Sequence, residues 1–183
     1  MRSYDNEPFV VNREVRAVIV PAGTEVTLQP GQSGYITQAL GGSFTVYLDG
    51  NLFRIGGEDA DAIGKEPVPP PELPPNATED DVLELAWDQM RTCYDPEIPI
   101  NIVDLGLVYD CSVQANEDGS RSVEVKLTLT APGCGMGDIL VDDVRDKIER
   151  IPTVHEVRVE LTFDPPWNQS MMSEAARLQT GMY

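Results

Sequence analysis

One segment concentrates residues whose types and spacing could do chemistry: Thr128-Leu-Thr-Ala-Pro-Gly-Cys134-Gly-Met-Gly-Asp138. Gly133, Gly135 and Gly137 flank the Cys134 thiol on both sides. Glycines leave backbone N–H groups and a neighbouring sulfur uncovered, at a cost in backbone entropy that ordinary packing does not require. An alternating run precedes the segment and a helical spacing follows it, which puts the thiol at or just before a helix N-terminus. Free N–H groups and the helix dipole favour a thiolate there. Asp138 and the acidity of the chain push the other way. Three readings stay open on these residues: a buried cysteine in a glycine-rich turn, a metal or cluster ligand, and a nucleophile.

The partners each chemistry would need are scarce. His155 is the one imidazole in the chain, about twenty residues further on, and no nucleophile elbow or Cys–His–Asn order accompanies it. There is no CxxC, and no closed set of four cysteines or of two cysteines with two histidines. Cys111 falls on the apolar face of an alternating run and reads as core. Cys93 sits at a helix end beside Tyr94-Asp95-Pro96-Glu97, a rigid loop with two carboxylates. One exposed sulfur is far short of the four ligands a cluster normally takes. A cluster held at Cys134 would need ligands from a second subunit, another protein or a small thiol, and would be labile. Asp164-Pro165-Pro166-Trp167 reads as a turn with a Trp covering the core edge. No phosphate loop, GxGxxG or HExxH is present.

The elements that must position this loop lie in the second part of the chain. Residues 67–75 read PVPPPELPP, six prolines in nine positions, and divide it. Proline fixes φ and removes donors, so the stretch reads as an extended spacer. The expected organisation is a small all-β module at 1–66, a Pro-rich linker at 67–75, and an α/β domain at 76–183. Residues 1–66 hold 5 Lys+Arg and 9 Asp+Glu, net −4; the remainder holds 8 and 22, net −14, of a total of −18 over 183 residues. That acidity leaves no basic patch for phosphate backbones and disfavours anionic membranes. No run of about 18 apolar residues occurs. The N-terminus lacks an apolar secretory core, so reduced thiols and a cytoplasmic location are expected.

The first module reads as five short strands, VRAVIV, TEVTL, GYITQAL, SFTVYL and NLFRI, with Asp49-Gly50 as a two-residue hairpin signal. A small β-barrel or rolled sheet is expected, with one helical turn at 58–63. In the second, Thr78 and the acidic residues after it approximate a capping box, and Val82, Leu83, Ala86 and Met90 predict a helix over 79–93. Alternation predicts strands at 105–113, 123–129 and 157–163, the last with Phe163 on the apolar face. Ile139, Leu140, Val144 and Ile148 predict a helix over 137–150. A last helix is expected from about Met171. The fold class is therefore α+β, its second domain a two-layer α/β sandwich on a three-stranded sheet.

Together, DPEIPINIVDLGLVYD, LTLTAPGCGMGDILVDDV, VHEVRVELTFDPPW and MMSEAARLQTGM resemble the SufT-type branch of the small domains associated with iron–sulfur protein maturation. The N-terminal stretch is similar to the extra β module of its long bacterial members. The resemblance implies a non-enzymatic auxiliary role, a functional cysteine at Cys134, and a supporting loop with Asp95 and Glu97 beside the glycines 133, 135 and 137. It implies an Fe–S cluster or iron bound transiently at Cys134, with scaffold or carrier proteins and apo-clients as partners, and no nucleic acid or membrane. A homodimer would let two Cys134 loops share one cluster. The rival readings are an adaptor that docks a scaffold or client without metal, using acidic faces and the Trp167 region, and a thiol-dependent enzyme.

Overall fold

The structure, a computed structural model, describes residues 6–95, 98–131 and 137–181. The chain divides into two compact units, residues 1–70 and 71–183, with the division inside the proline run. That run is tied down at both ends. Val68 N–H donates to Gly57 O at 2.9 Å in the first unit, and Leu73 packs on the core of the second.

The first unit holds six strands: β1 (Glu7–Val10), β2 (Val15–Val20), β3 (Glu25–Leu28), β4 (Ser33–Leu40), β5 (Ser43–Leu48) and β6 (Asn51–Ile55). They form one antiparallel sheet in the order β1-β4-β5-β6-β2-β3. A 3-10 helix, Gly57–Ile63, follows at the place expected for a helical turn. Asp49 and Gly50 both take positive φ, 50° and 85°, as the predicted two-residue hairpin requires. Ile36, Val46 and Ile55 are fully buried on the inner face with Phe9, Val11, Leu48 and Phe53 around them. The expected barrel is corrected: β1 and β3 end the sheet and do not pair with each other. β1 is a strand of only four residues and contains Pro8, which lacks one of the donors a strand with two neighbours would use. The same proline hides β1 from a pattern search, so five strands were expected where six form.

The second unit holds α1 (Glu79–Met90), β7 (Val108–Ala115), β8 (Arg121–Leu127), α2 (Gly137–Glu149), β9 (Val154–Leu161) and α3 (Glu174–Thr180). The capping box is present: Asp81 N–H donates to Thr78 Oγ1 at 3.3 Å, and Thr78 N–H donates to Asp81 Oδ2 at 2.7 Å. β7 and β8 are antiparallel, β8 and β9 parallel, with α2 as the crossover between them. α1 packs on β7 and on α2, which packs on β9. Val123, Val125 and Leu127 point into that core while Glu124 and Lys126 are exposed, so one sheet face is dry. Three expectations shift. Leu105 and Leu107 are fully buried but precede β7, in a turn, and a bulge between Val108 and Asp110 breaks the predicted alternation. Phe163 lies beyond β9 and is 44% exposed. α1 stops at Met90, three residues early, with Thr92 Oγ1 donating to Gln89 O at 2.6 Å.

Candidate functional site at the end of the small sheet

Parallel strands joined by a helix place their following loops at one sheet end, where ligands of open α/β sheets commonly bind. Residues 128–131 leave β8 at that end, and residues 162–167 leave β9 beside them. Thr128 N–H donates to Leu107 O at 2.8 Å, and Thr162 N–H to Leu127 O at 2.9 Å, so the chain stays paired past the formal strand ends.

The loop after α1 reaches the same place. Cys93 O accepts from Ile102 N–H at 2.9 Å, and Tyr94 and Asn101 form a bridge, so the chain on the two sides of the segment is paired. Asp95 is its anchor. Its carboxylate is 6% exposed. Oδ1 accepts from Ile98 N–H at 2.8 Å, and Oδ2 accepts from Thr130 Oγ1 at 3.5 Å. A buried carboxylate must be satisfied by donors. The first is local, and the second joins Asp95 to the residues leaving β8, four positions before Cys134.

Glu97, Gly133, Cys134 and Gly135 lie outside the described residues. Gly137 is described: it is buried at the start of α2, where an added Cβ would stand 3.0 Å from Leu129 Cδ1 and 3.5 Å from Leu161 Cδ1. Its smallness lets α2 approach the strand ends closely, a packing role distinct from uncovering a sulfur.

The other two thiols are withdrawn from the site. Cys93 is fully buried, its Sγ 3.7 Å from Gln89 O. Cys111 is in the core, and burial, with the charge of Asp110 as a lesser cause, pushes its thiol up to about 12. His155 is exposed near the start of β9, where its neighbour Val154 pairs with Arg121. Thr130 follows the other end of β8, roughly 20 Å away along the strand at ~3.3 Å per residue. The imidazole is therefore not brought to the loop that leads to Cys134. Among the described residues no three His, Cys, Asp or Glu groups gather in a way that could hold a metal ion.

The C-terminal segment closes over the loop that precedes β7. Trp167 Nε1 donates to Leu105 O at 2.6 Å, Ser173 N–H to Asp104 O at 2.8 Å, and Tyr109 Oη to Pro165 O at 2.6 Å. Gly106 sits beneath Met171 with φ +76°, and an added Cβ would lie 2.2 Å from Met171 O. Trp167 is thus held by the core it covers. Two features escaped sequence reasoning. The Asp95–Thr130 contact joins residues 35 positions apart, though an Asp before Pro is itself a signal for the local Asx turn. Thr128 is fully buried with Oγ1 lacking any hydrogen-bond partner among the described residues, and nothing in the pattern LTLTAPG marks it.

Comparison with known proteins gives concordant matches. The family described as iron-sulfur cluster assembly protein matches residues 84–161. The chain is 48% identical over 104 residues to the Fe-S protein maturation auxiliary factor of Porphyromonas gingivalis, covering 57% of this chain and 91% of that protein. It is 39% identical over 88 residues to the Fe-S protein maturation auxiliary factor SufT of Staphylococcus aureus, covering 48% of this chain and 96% of that protein. A solved structure from Bacillus anthracis, described as domain of unknown function DUF59, is 32% identical, covers 57% of this chain and 96% of its own, with a TM-score of 0.49.

Proposed function

The chain belongs to the SufT-type family of Fe–S protein maturation auxiliary factors, and from that premise we propose that it acts in the cytoplasm as a non-enzymatic factor in the maturation of iron–sulfur proteins. The observation that carries the reading is the 48% identity maintained over 91% of a relative bearing that name. Within the chain, residues 76–183 form the working domain, 67–75 the linker and 1–66 an added β module.

We assign Cys134 the role of a transient ligand to a cluster or iron ion, which is cargo and not a resident cofactor. The supporting geometry is the convergence of the residues leaving β8, those leaving β9 and the Asp95 loop at one sheet end. A soft thiolate suits iron–sulfur cargo. With Cys93 and Cys111 in the core, the remaining ligands come from a partner: a scaffold or carrier that delivers, or an apo-client that receives. A site with an incomplete ligand set releases its cargo readily, which suits transfer. Net −14 on residues 67–183 attracts iron cations and basic partner surfaces.

A second reading is an adaptor that docks such partners through its acidic faces and the Trp167 region without touching the cargo. Anaerobic reconstitution with iron and sulfide separates the two. Visible absorbance and a matching mass increase in the wild type, both lost in Cys134→Ala, are the expected result. A wild type that gains neither, with Cys134→Ala still binding its partner, overturns the ligand role in favour of the adaptor.

A further inference from the structure

The segment after β9 is thinly held. Asp164, Pro165, Pro166, Asn168, Gln169 and Ser170 are exposed, and Trp167 and Met171 among them are half-buried. β7 and β9 are the outer strands of the small sheet, so the bond from Tyr109 Oη to Pro165 O brings this segment back across to β7. The next ties are Trp167 Nε1 to Leu105 O and Ser173 N–H to Asp104 O. A segment with little buried apolar area and a few separate bonds opens at a fraction of the global unfolding free energy. The loss of one tie is therefore felt there.

Tyr109 Oη meets two acceptors with one proton. Pro165 O lies at 2.6 Å and Met171 Sδ at 3.6 Å. A carbonyl oxygen is a good acceptor and a thioether a weak one, so the proton goes to Pro165 and the sulfur stands beside the hydroxyl. Met171 is seated against Gly106: an added Cβ there would lie 2.9 Å from Met171 Cβ. The side chain therefore has no room to fall back toward the turn before β7. Among the described methionines, Met90 and Met172 are in the core, and Met171 alone is half-buried.

We propose that Met171 is an oxidation site whose co-reactant is a hydroperoxide, and that its sulfoxide loosens this segment through Tyr109. The sulfur lone pair takes the terminal peroxide oxygen. An S–O bond forms and the O–O bond breaks. The thioether loses two electrons, and the peroxide, reduced by them, leaves as water or, from an organic peroxide, as an alcohol. The product is polar where the thioether was apolar, and its oxygen is a far better acceptor. It competes with Pro165 O for the one phenolic proton, which weakens the tie two residues before Trp167. Methionine sulfoxide reductases, with a dithiol as reductant, remove the oxygen as water and return the bond. The inference rests on the fold of the second unit and is independent of the iron–sulfur reading.

Treatment of the full chain with hydrogen peroxide tests it, with residue-resolved mass spectrometry and hydrogen exchange of the Trp167 indole N–H as readouts. Met171 should oxidise at least about tenfold faster than Met90 and Met172. Oxidation should speed the indole exchange about three- to tenfold, the worth of one hydrogen bond, and methionine sulfoxide reductases should reverse it. Met171→Leu, a volume-conserving swap, should exchange like the reduced wild type with or without peroxide, which separates Met171 from oxidation elsewhere in the chain. Met171→Gln, which carries a carbonyl oxygen toward Tyr109, should loosen the segment without oxidant and repeats the test in case the leucine variant misfolds. Tyr109→Phe should exchange fast from the start and gain little on oxidation. Circular dichroism with a melting curve verifies each fold. Met171 oxidising no faster than the two core methionines overturns the proposal. So does an exchange rate that peroxide leaves unchanged in the wild type, raises equally in Met171→Leu, or raises as much in Tyr109→Phe as in the wild type.

Discussion

Asp95 is the residue on which the geometry of the candidate site turns. Its carboxylate bonds forward to Ile98 N–H and across to Thr130 Oγ1. Replacing it by Ala leaves the Ile98 donor without its partner, so Asp95→Ala should destabilise the chain by about 1–3 kcal/mol. Asp95→Asn, which keeps an acceptor, should cost less. Chemical denaturation of both variants measures the difference, and equal losses would contradict the assignment. The thiols make a second prediction. With Cys93 and Cys111 buried, the native chain should react quickly with a thiol reagent near pH 8 at one site and the denatured chain at three; Cys134→Ala should remove the fast site. Two fast sites in the native protein would show that a core cysteine is open. Cys111 adds a pH dependence. Its folded value, about 12, lies above the reference of 9.0, so the unfolded chain ionises first. The contribution to stability is whole below pH 9 and declines as pH rises from there toward 12. Cys111→Ala should flatten that decline.

At the scale of elements, caps and close approaches set where each piece stops and what it touches. α1 is started by the reciprocal Thr78–Asp81 bonds, and Thr78→Ala should lower stability by about 1 kcal/mol. The far end of α1 is tied to α2 by Lys147, whose Nζ donates to Thr92 O at 2.7 Å and lies 3.5 Å from Asp143. Gly106 joins the turn before β7 to the C-terminal segment. A side chain there meets both a positive φ and a carbonyl 2.2 Å away, so Gly106→Ala should cost more than the ~1–3 kcal/mol of the backbone conformation alone. Thermal melting measures it. A neutral Gly106→Ala would mean the Met171 segment yields freely, and the clamp formed by Trp167 and Ser173 would then be weaker than its hydrogen bonds indicate.

The whole molecule is two cores joined by a proline run, and its acidity governs both. Carboxylates held below their ordinary range make the chain acid-sensitive. Asp61 is lowered chiefly by its bonds from Arg13, and Asp118 by those from Ser120. Such groups add stability above their unfolded value near 3.8 and lose it as pH falls through the lower folded value. Melting temperature should therefore drop as pH goes from about 5 to 2.5, and less steeply in Asp118→Asn. An unchanged slope in that variant would remove Asp118 from the account.

Local pattern made much of this fold legible. The Asp49-Gly50 hairpin, the Thr78 cap, and the helices and strands of the second unit follow from interactions within a few residues, which the chain order itself supplies. The glycine-flanked Cys134 was legible for the same reason, and the linked segments around it pointed to the family. What failed were features set by contacts distant in the chain. The sheet stays open because of which edges meet, and a pattern of five strands says nothing of that. Pro8 concealed β1; the bulge after Val108 broke a clean alternation; Phe163 passed beyond the strand it seemed to end. The Asp95–Thr130 bond, the Gly137 approach to Leu129 and the bond from Tyr109 to Pro165 exist only once segments distant in sequence lie side by side. The sequence by itself determined which segments were helix and strand, because those choices rest on propensity and spacing. Only the tertiary structure decided that Cys93 is withdrawn along with Cys111 and that Asp95 reaches Thr130, because burial and long-range hydrogen bonding depend on what the rest of the chain brings near.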